Sequence, residues 1–211
     1  MSRAVSYNVH PERPQRHKVA KIARALAEGA VMLYPTDTVY ALGCDPHHKE
    51  AVERLLLIKD APSRHPLTLL CPTLSEIATY AHVDDEAFKL MKTLTPGPYT
   101  FILKATKEVP RLVLNPKRTK VGLRIPASPI CQSLLGELQG PLISTSAHTA
   151  AAAQPESLEE LVHSFAKQVD IMILDGRRPE LSPSTVLDLS QPEFEIIREG
   201  QGFPALQPFL R

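Results

Sequence analysis

The chain has 211 residues, 43% of them hydrophobic and 22% charged, which fits one globular domain of ordinary core size, or a domain with a short tail. No run of 18 apolar residues occurs and the first twelve residues are polar with no apolar stretch, so a soluble, unexported, cytoplasmic protein is expected. Three scattered cysteines, Cys44, Cys71 and Cys131, without C-x-x-C spacing indicate neither a disulfide framework nor a zinc site and read as reduced thiols, while a formal net charge of +1 argues for no particular partner.

Apolar residues at Val19, Ile22, Ala23, Leu26 and Ala27 recur with helical spacing, and Gly29 stops that helix before a strand over 30–34. The strand opens into Pro35-Thr-Asp-Thr-Val-Tyr-Ala-Leu-Gly-Cys-Asp45, a loop that packs six polar side chains into eleven positions. Such a loop at a strand end marks a candidate site, although a turn with a capping Asp would also explain it. A helix over 49–59 follows, then a loop at 62–66 beside the first motif, then a short buried strand over 67–71.

Residues 74–81 and 84–94 read as helices, with Asp84 as the cap of the second, and 99–105 and 121–125 as strands. Another amphipathic helix over 130–138 leads through Gly140-Pro141 to a strand over 142–145. A helix over 158–167 and strands over 171–174, 185–189 and 194–197 complete the chain. Interleaved helices and strands without internal repeats imply an α/β layer fold. After Val169 the connections are too short for helical crossovers, so part of the sheet is expected to be antiparallel. The twenty prolines suit a loop-rich rim around a cleft.

Basic residues gather in two places. Between Lys104 and Arg124 seven (Lys104, Lys107, Arg111, Lys117, Arg118, Lys120, Arg124) face one acid, Glu108, and a second group holds Arg13, Arg16, His17, Lys18, Lys21 and Arg24. Solvated faces account for such groups, and they also permit a phosphate-rich partner. No Ser-His-Asp order, paired-carboxylate spacing or metalloprotease signature is present. His47 and His48 are adjacent, and adjacent residues rarely share a face, so no protein-held metal is expected. The inventory of hydroxyls and cations suits a reaction without a protein nucleophile.

Beyond 35–45, the chain carries Lys59 in Ile-Lys-Asp-Ala-Pro, Val121-Gly-Leu-Arg-Ile-Pro126, Ser144-Thr-Ser146, Ser184-Thr-Val-Leu-Asp188 and Arg198-Glu-Gly200. In this order, across about 15–200, the pieces resemble the YrdC family of L-threonylcarbamoyladenylate synthases. The wording around Phe88-Lys-Leu-Met, Pro96-Gly-Pro-Tyr-Thr-Phe-Ile-Leu-Lys104 and Lys107-Glu-Val-Pro-Arg111 is most similar to its YciO branch. The resemblance implies a twisted, open, mixed parallel and antiparallel sheet with surrounding helices and a basic concave cleft. It implies a domain over 15–200, with 1–14 an N-terminal extension and 201–211 a C-terminal tail.

The family reaction joins threonine, bicarbonate and ATP into threonylcarbamoyl-AMP and pyrophosphate, serving threonylcarbamoyl-adenosine in tRNA, with Mg²⁺ arriving on the nucleotide. On this resemblance Thr38, Arg124, Ser144 and Ser184 match threonine-side positions, and Lys59, Lys120, Ser146 and Arg198 match ATP-side positions, Lys59 and Ser146 also being expected at the reacting centre. Each has a structural alternative: Arg124 paired with a carboxylate, Lys59 complementing a helix dipole, the serines satisfying backbone, Arg198 in a surface ion pair.

The chain departs from the family pattern in three places. Ala61 stands where the synthases carry an arginine, His148 stands for their asparagine with alanines where Ser-Gly follows, and Ala41 replaces the glycine of Tyr-Gly-Leu-Gly. Arg64 and His148 are the candidate substitutes for the lost donors. The competing reading is a module with reduced catalysis that binds double-stranded RNA, tRNA or the ribosome through shape and phosphate contacts.

Overall fold

The computed structural model describes residues 3–59, 67–114, 119–147 and 157–209. Among these residues eleven strands form one sheet: β1 (Val5–Asn8), β2 (Met32–Tyr34), β3 (Ala41–Cys44), β4 (Thr68–Leu70), β5 (Ala81–His82), β6 (Tyr99–Ala105), β7 (Lys120–Arg124), β8 (Leu142–Ser146), β9 (Ile171–Leu174), β10 (Thr185–Asp188) and β11 (Glu195–Arg198). The order is β1-β9-β2-β3-β8-β4-β7-β6-β10-β11, with β5 added to β6. Pairs β1/β9, β2/β9, β4/β7 and β6/β10 are parallel, and the others, including β10/β11, are antiparallel. The fold is thus the mixed α/β sheet expected.

Among the described residues six helices cover the sheet: α1 (Arg16–Ala27), α2 (Lys49–Ile58), α3 (Leu74–Tyr80), α4 (Asp85–Leu94), α5 (Pro129–Leu138) and α6 (Leu158–Phe165). Four start on a side-chain cap, the oxygens of Thr73, Asp84, Ser128 and Ser157 each accepting from the backbone N–H three residues on.

The helices divide unequally between the two faces, and that division creates the site. Alternate residues of β6, Tyr99, Phe101 and Leu103, pack into one core with Leu55 of α2, Ile77 of α3, Met91 of α4 and Phe165 of α6. On the opposite face Ile22 and Leu26 of α1 and Leu134 and Leu135 of α5 bury Met32, Tyr34 and Leu142. Because α1 and α5 cover only the part of that face around β2, the part over β4, β6 and β7 stays open as a cleft.

Residues 35–45 are not a loop throughout. Ala41–Cys44 forms β3, antiparallel to β2, because all four residues are buried on both faces, and the true loop is 35–40. Besides β3, two further strands were not legible: β5 has two residues, and β1 is largely exposed and lies among residues expected to be an extension. β1 pairs with β9 at the sheet edge, and Leu206, in a short 3₁₀ segment (Phe203–Phe209), is fully buried.

Candidate functional site

The cleft encloses about 780 Å³, within the usual range for small-molecule sites. Its floor is the residue set of one strand parity: Lys120, Gly122 and Arg124 of β7, Thr100 and Ile102 of β6, Thr68 and Leu70 of β4, Ser144 and Ser146 of β8, Val186 and Asp188 of β10.

Arg124 anchors one end. Its Nη1 donates to Thr38 Oγ1 at 2.9 Å and its Nη2 to Asp37 Oδ1 at 2.7 Å, with side chains 8% (Arg124) and 13% (Asp37) exposed. The other atoms of the pair, Arg124 Nε and Asp37 Oδ2, are buried without a hydrogen-bond partner among the described residues. The loop that presents Thr38 is itself tied by Thr36, whose Oγ1 accepts from Thr38 N and donates to Val39 O. Ser144 Oγ accepts from Tyr34 Oη at 2.7 Å, and burial pushes the Tyr34 phenol well above its ordinary range.

Arg198 forks onto the Ser184 carbonyl through Nε and Nη2, at 3.0 and 2.8 Å, and Nη2 also reaches Ser184 Oγ at 3.1 Å. Burial, followed by the charge of Arg124, lowers the Arg198 pKa, so the two guanidiniums repel across this end. Thr100 Oγ1 shares a hydrogen bond with Ser184 Oγ at 2.9 Å.

Lys120 stands four residues back along β7, about 13 Å from Arg124 at strand rise. Its Nζ donates to Asp188 Oδ2 at 2.8 Å. Partial burial of Asp188 raises its pKa, but the hydrogen bonds from Lys120 and Ser190 outweigh this and leave it below the ordinary value. Ser146 belongs to the same end, because Ser144 pairs through Thr68 with Gly122 and β8 then runs toward Lys120. Lys59, at the C-terminus of α2, donates from Nζ to the Ser146 carbonyl at 2.8 Å and lies 3.5 Å from its Oγ. Desolvation lowers the Lys59 pKa to about 8.

Thr38, Lys120, Arg124, Ser144, Ser146, Ser184 and Arg198 therefore line one cleft, with Lys59 behind Ser146. Arg198, matched above with the lysines, sits instead beside Ser184 and Arg124. Arg64 and His148, like Ala61, lie outside the described residues. Asp37, Thr100 and Asp188 were missed. Strand parity from Ser184 to Asp188 and from Ile102 to Thr100 could have found two of them. Asp37 carries no signal beyond its neighbour Thr38. Among the described residues no three His, Cys, Asp or Glu side chains gather as a metal site. No described helix is long and apolar enough to cross a membrane.

Residues 24–200 match the family model named for Sua5, YciO and YrdC and described as telomere recombination. The chain belongs to this family. It is 44% identical over 205 residues to the uncharacterized protein YciO of Escherichia coli, covering 97% of this chain and 98% of that one. A threonylcarbamoyl-AMP synthase of Vibrio vulnificus is 30% identical over 183 residues, 85% of this chain and 97% of the synthase. Among solved structures, E. coli YciO superposes with a TM-score of 0.90 at 42% identity, covering 98% of this chain and 100% of that chain. P. abyssi Sua5 complexed with L-threonine superposes at 0.86 and 28% identity, covering 93% of this chain and 58% of Sua5.

Proposed function

We propose that the cleft binds ATP and threonine and acts as an L-threonylcarbamoyladenylate synthase, with bicarbonate as the third substrate and Mg²⁺ carried in on the nucleotide. The observation that carries this reading is the convergence of Thr38, Arg124, Ser144, Ser184 and Arg198 with the Lys59–Ser146 pair on one open face of the sheet. The synthase among the relatives and the threonine complex of Sua5 support it.

In this reading the threonine amine attacks the carbon of bicarbonate, a C–O bond of bicarbonate breaks and water leaves with the amine's proton, giving a carbamate. A carbamate oxygen then attacks the α-phosphorus in line, and the bond from that phosphorus to the bridging oxygen breaks, releasing pyrophosphate. The chain supplies cations and hydroxyl donors rather than a nucleophile. Arg124 faces the threonine carboxylate, Arg198 and Lys120 the phosphates, and Lys59 steadies the strand end that presents Ser146. The product would enter threonylcarbamoyl-adenosine formation in tRNA.

Pyrophosphate release with ATP, Mg²⁺, bicarbonate and threonine, omitting each in turn, tests the proposal. Turnover that needs all of them and is lost in Lys59→Ala is expected. No release from folded wild-type protein would overturn it.

A further inference from the structure

We propose that the bare backbone at Gly122 is the bed on which the nucleotide lies, making Gly122 a specificity-determining position of the cleft; this rests on the nucleotide reading above. Gly122 sits in the middle of β7, hydrogen-bonded to β4 on one side and β6 on the other, where a glycine weakens a strand and calls for a reason.

Packing does not supply that reason. A methyl group on Gly122 would stand 3.3 Å from Thr68 Oγ1, 3.6 Å from the Leu67 carbonyl and 3.7 Å from Thr100 Cγ2. The tightest of these contacts is with a side-chain hydroxyl rather than backbone, and a shift of a few tenths of an ångström at Thr68 is all that an alanine here would require. Two other glycines behave differently. A methyl on Gly43 would meet the Ile143 carbonyl at 2.8 Å and the Tyr34 ring at 2.9 Å, and one on Gly200 would meet the Pro183 carbonyl at 2.3 Å. Those two are required by neighbouring protein atoms.

What Gly122 faces is the cleft, midway between the Arg124 end and the Lys120 end. A side chain here would rise from the floor between them. Its absence leaves a flat strip, edged by Thr68, Thr100 and Ile102, that lets a long anionic ligand touch both ends and rest against the backbone. Among the substrates proposed above, only the nucleotide is long enough for this.

Binding of ATP and of threonine, each by calorimetry, is measured for wild type, Gly122→Ala and Gly122→Ser, with melting temperature recorded and Gly43→Ala as the packing control. The expected result is ATP affinity lowered at least ten-fold in both Gly122 variants, threonine affinity unchanged, and melting temperature equal to or above wild type. Gly43→Ala should instead melt earlier. Equal ATP affinity in wild type and the Gly122 variants would overturn the inference. So would a fall in melting temperature like that of Gly43→Ala, which would return the glycine to packing. If wild type itself fails to bind ATP, the nucleotide reading falls, and this inference with it.

Discussion

Removing Asp37 should destabilise the whole protein through Arg124. The two side chains are 13% and 8% exposed and meet at 2.7 Å, so Asp37→Ala leaves a buried guanidinium without its counter-charge. Breaking a buried pair in this way costs about 3–5 kcal/mol. For a chain of this size each kcal/mol lowers the melting temperature by about 2–4 °C, so a fall of about 6–20 °C is expected. Lys49 and Glu53, an exposed pair at 65% and 55%, give the contrast: such i,i+4 pairs contribute about 0.3–0.5 kcal/mol, and Lys49→Ala should shift melting by less than about 2 °C. Thermal unfolding by circular dichroism, in buffer free of multivalent anions, reads both. Combining Asp37→Ala with Arg124→Met should recover part of the loss, because the uncompensated charge goes with it. A melting temperature for Asp37→Ala within about 2 °C of wild type would refute the reasoning, since Arg124 would then be solvated through the cleft.

Lys59 gives a pH signature: with its folded pKa lowered to about 8 from 10.5, the unfolded chain binds the extra proton between those values, so stability rises with pH across that window. Chemical denaturation at pH 8 and pH 10 should show that rise in wild type and a smaller one in Lys59→Met. Asp188→Asn removes a carboxylate from the cleft wall while breaking a pair whose lysine is 40% exposed, so ATP should bind more tightly at a stability cost below about 1 kcal/mol; weaker ATP binding would count against Lys120 as a phosphate ligand. Arg198→Lys should not restore what Arg198→Met loses in ATP affinity, because an ammonium cannot make the two-pronged contact on the Ser184 carbonyl.

The parts of the fold legible in the sequence were those where one period dominates. Helix α4, with Ala87, Leu90, Met91 and Leu94 buried and Asp84 as its cap, and strand β6, alternating between core and cleft, lay where their patterns put them. β3 was hidden because its four residues are all buried and follow the equally buried Val39 and Tyr40, so neither alternation nor composition separated it from the loop. β1 was hidden because it is held by backbone pairing to β9 rather than by apolar burial. Lys120, Arg124, Ser144 and Ser146 line one cleft because parity along β7 and β8 puts them on one face. The resemblance could not show which cation already holds a carboxylate, because Asp37 and Asp188 come to Arg124 and Lys120 only through the sheet order.

Those internal partners decide how the cleft meets an anion. Lys120 and Arg124 are neutralised by Asp188 and Asp37, whereas Arg198 has no carboxylate partner among the described residues and feels the charge of Arg124. An incoming carboxylate or phosphate therefore exchanges with an existing partner at two positions and adds new charge pairing chiefly at Arg198. Exchange within a partly closed cleft releases few counterions, so ATP binding should weaken only mildly between 50 and 200 mM salt. A nucleic-acid backbone would be held instead by exposed cations such as Lys104, Lys107 and Arg111, and its binding would fall by orders of magnitude over the same range. ATP titrations at the two salt concentrations separate the cases. A steep fall would mean that solvent-exposed cations, not the paired residues of the cleft floor, make the contact.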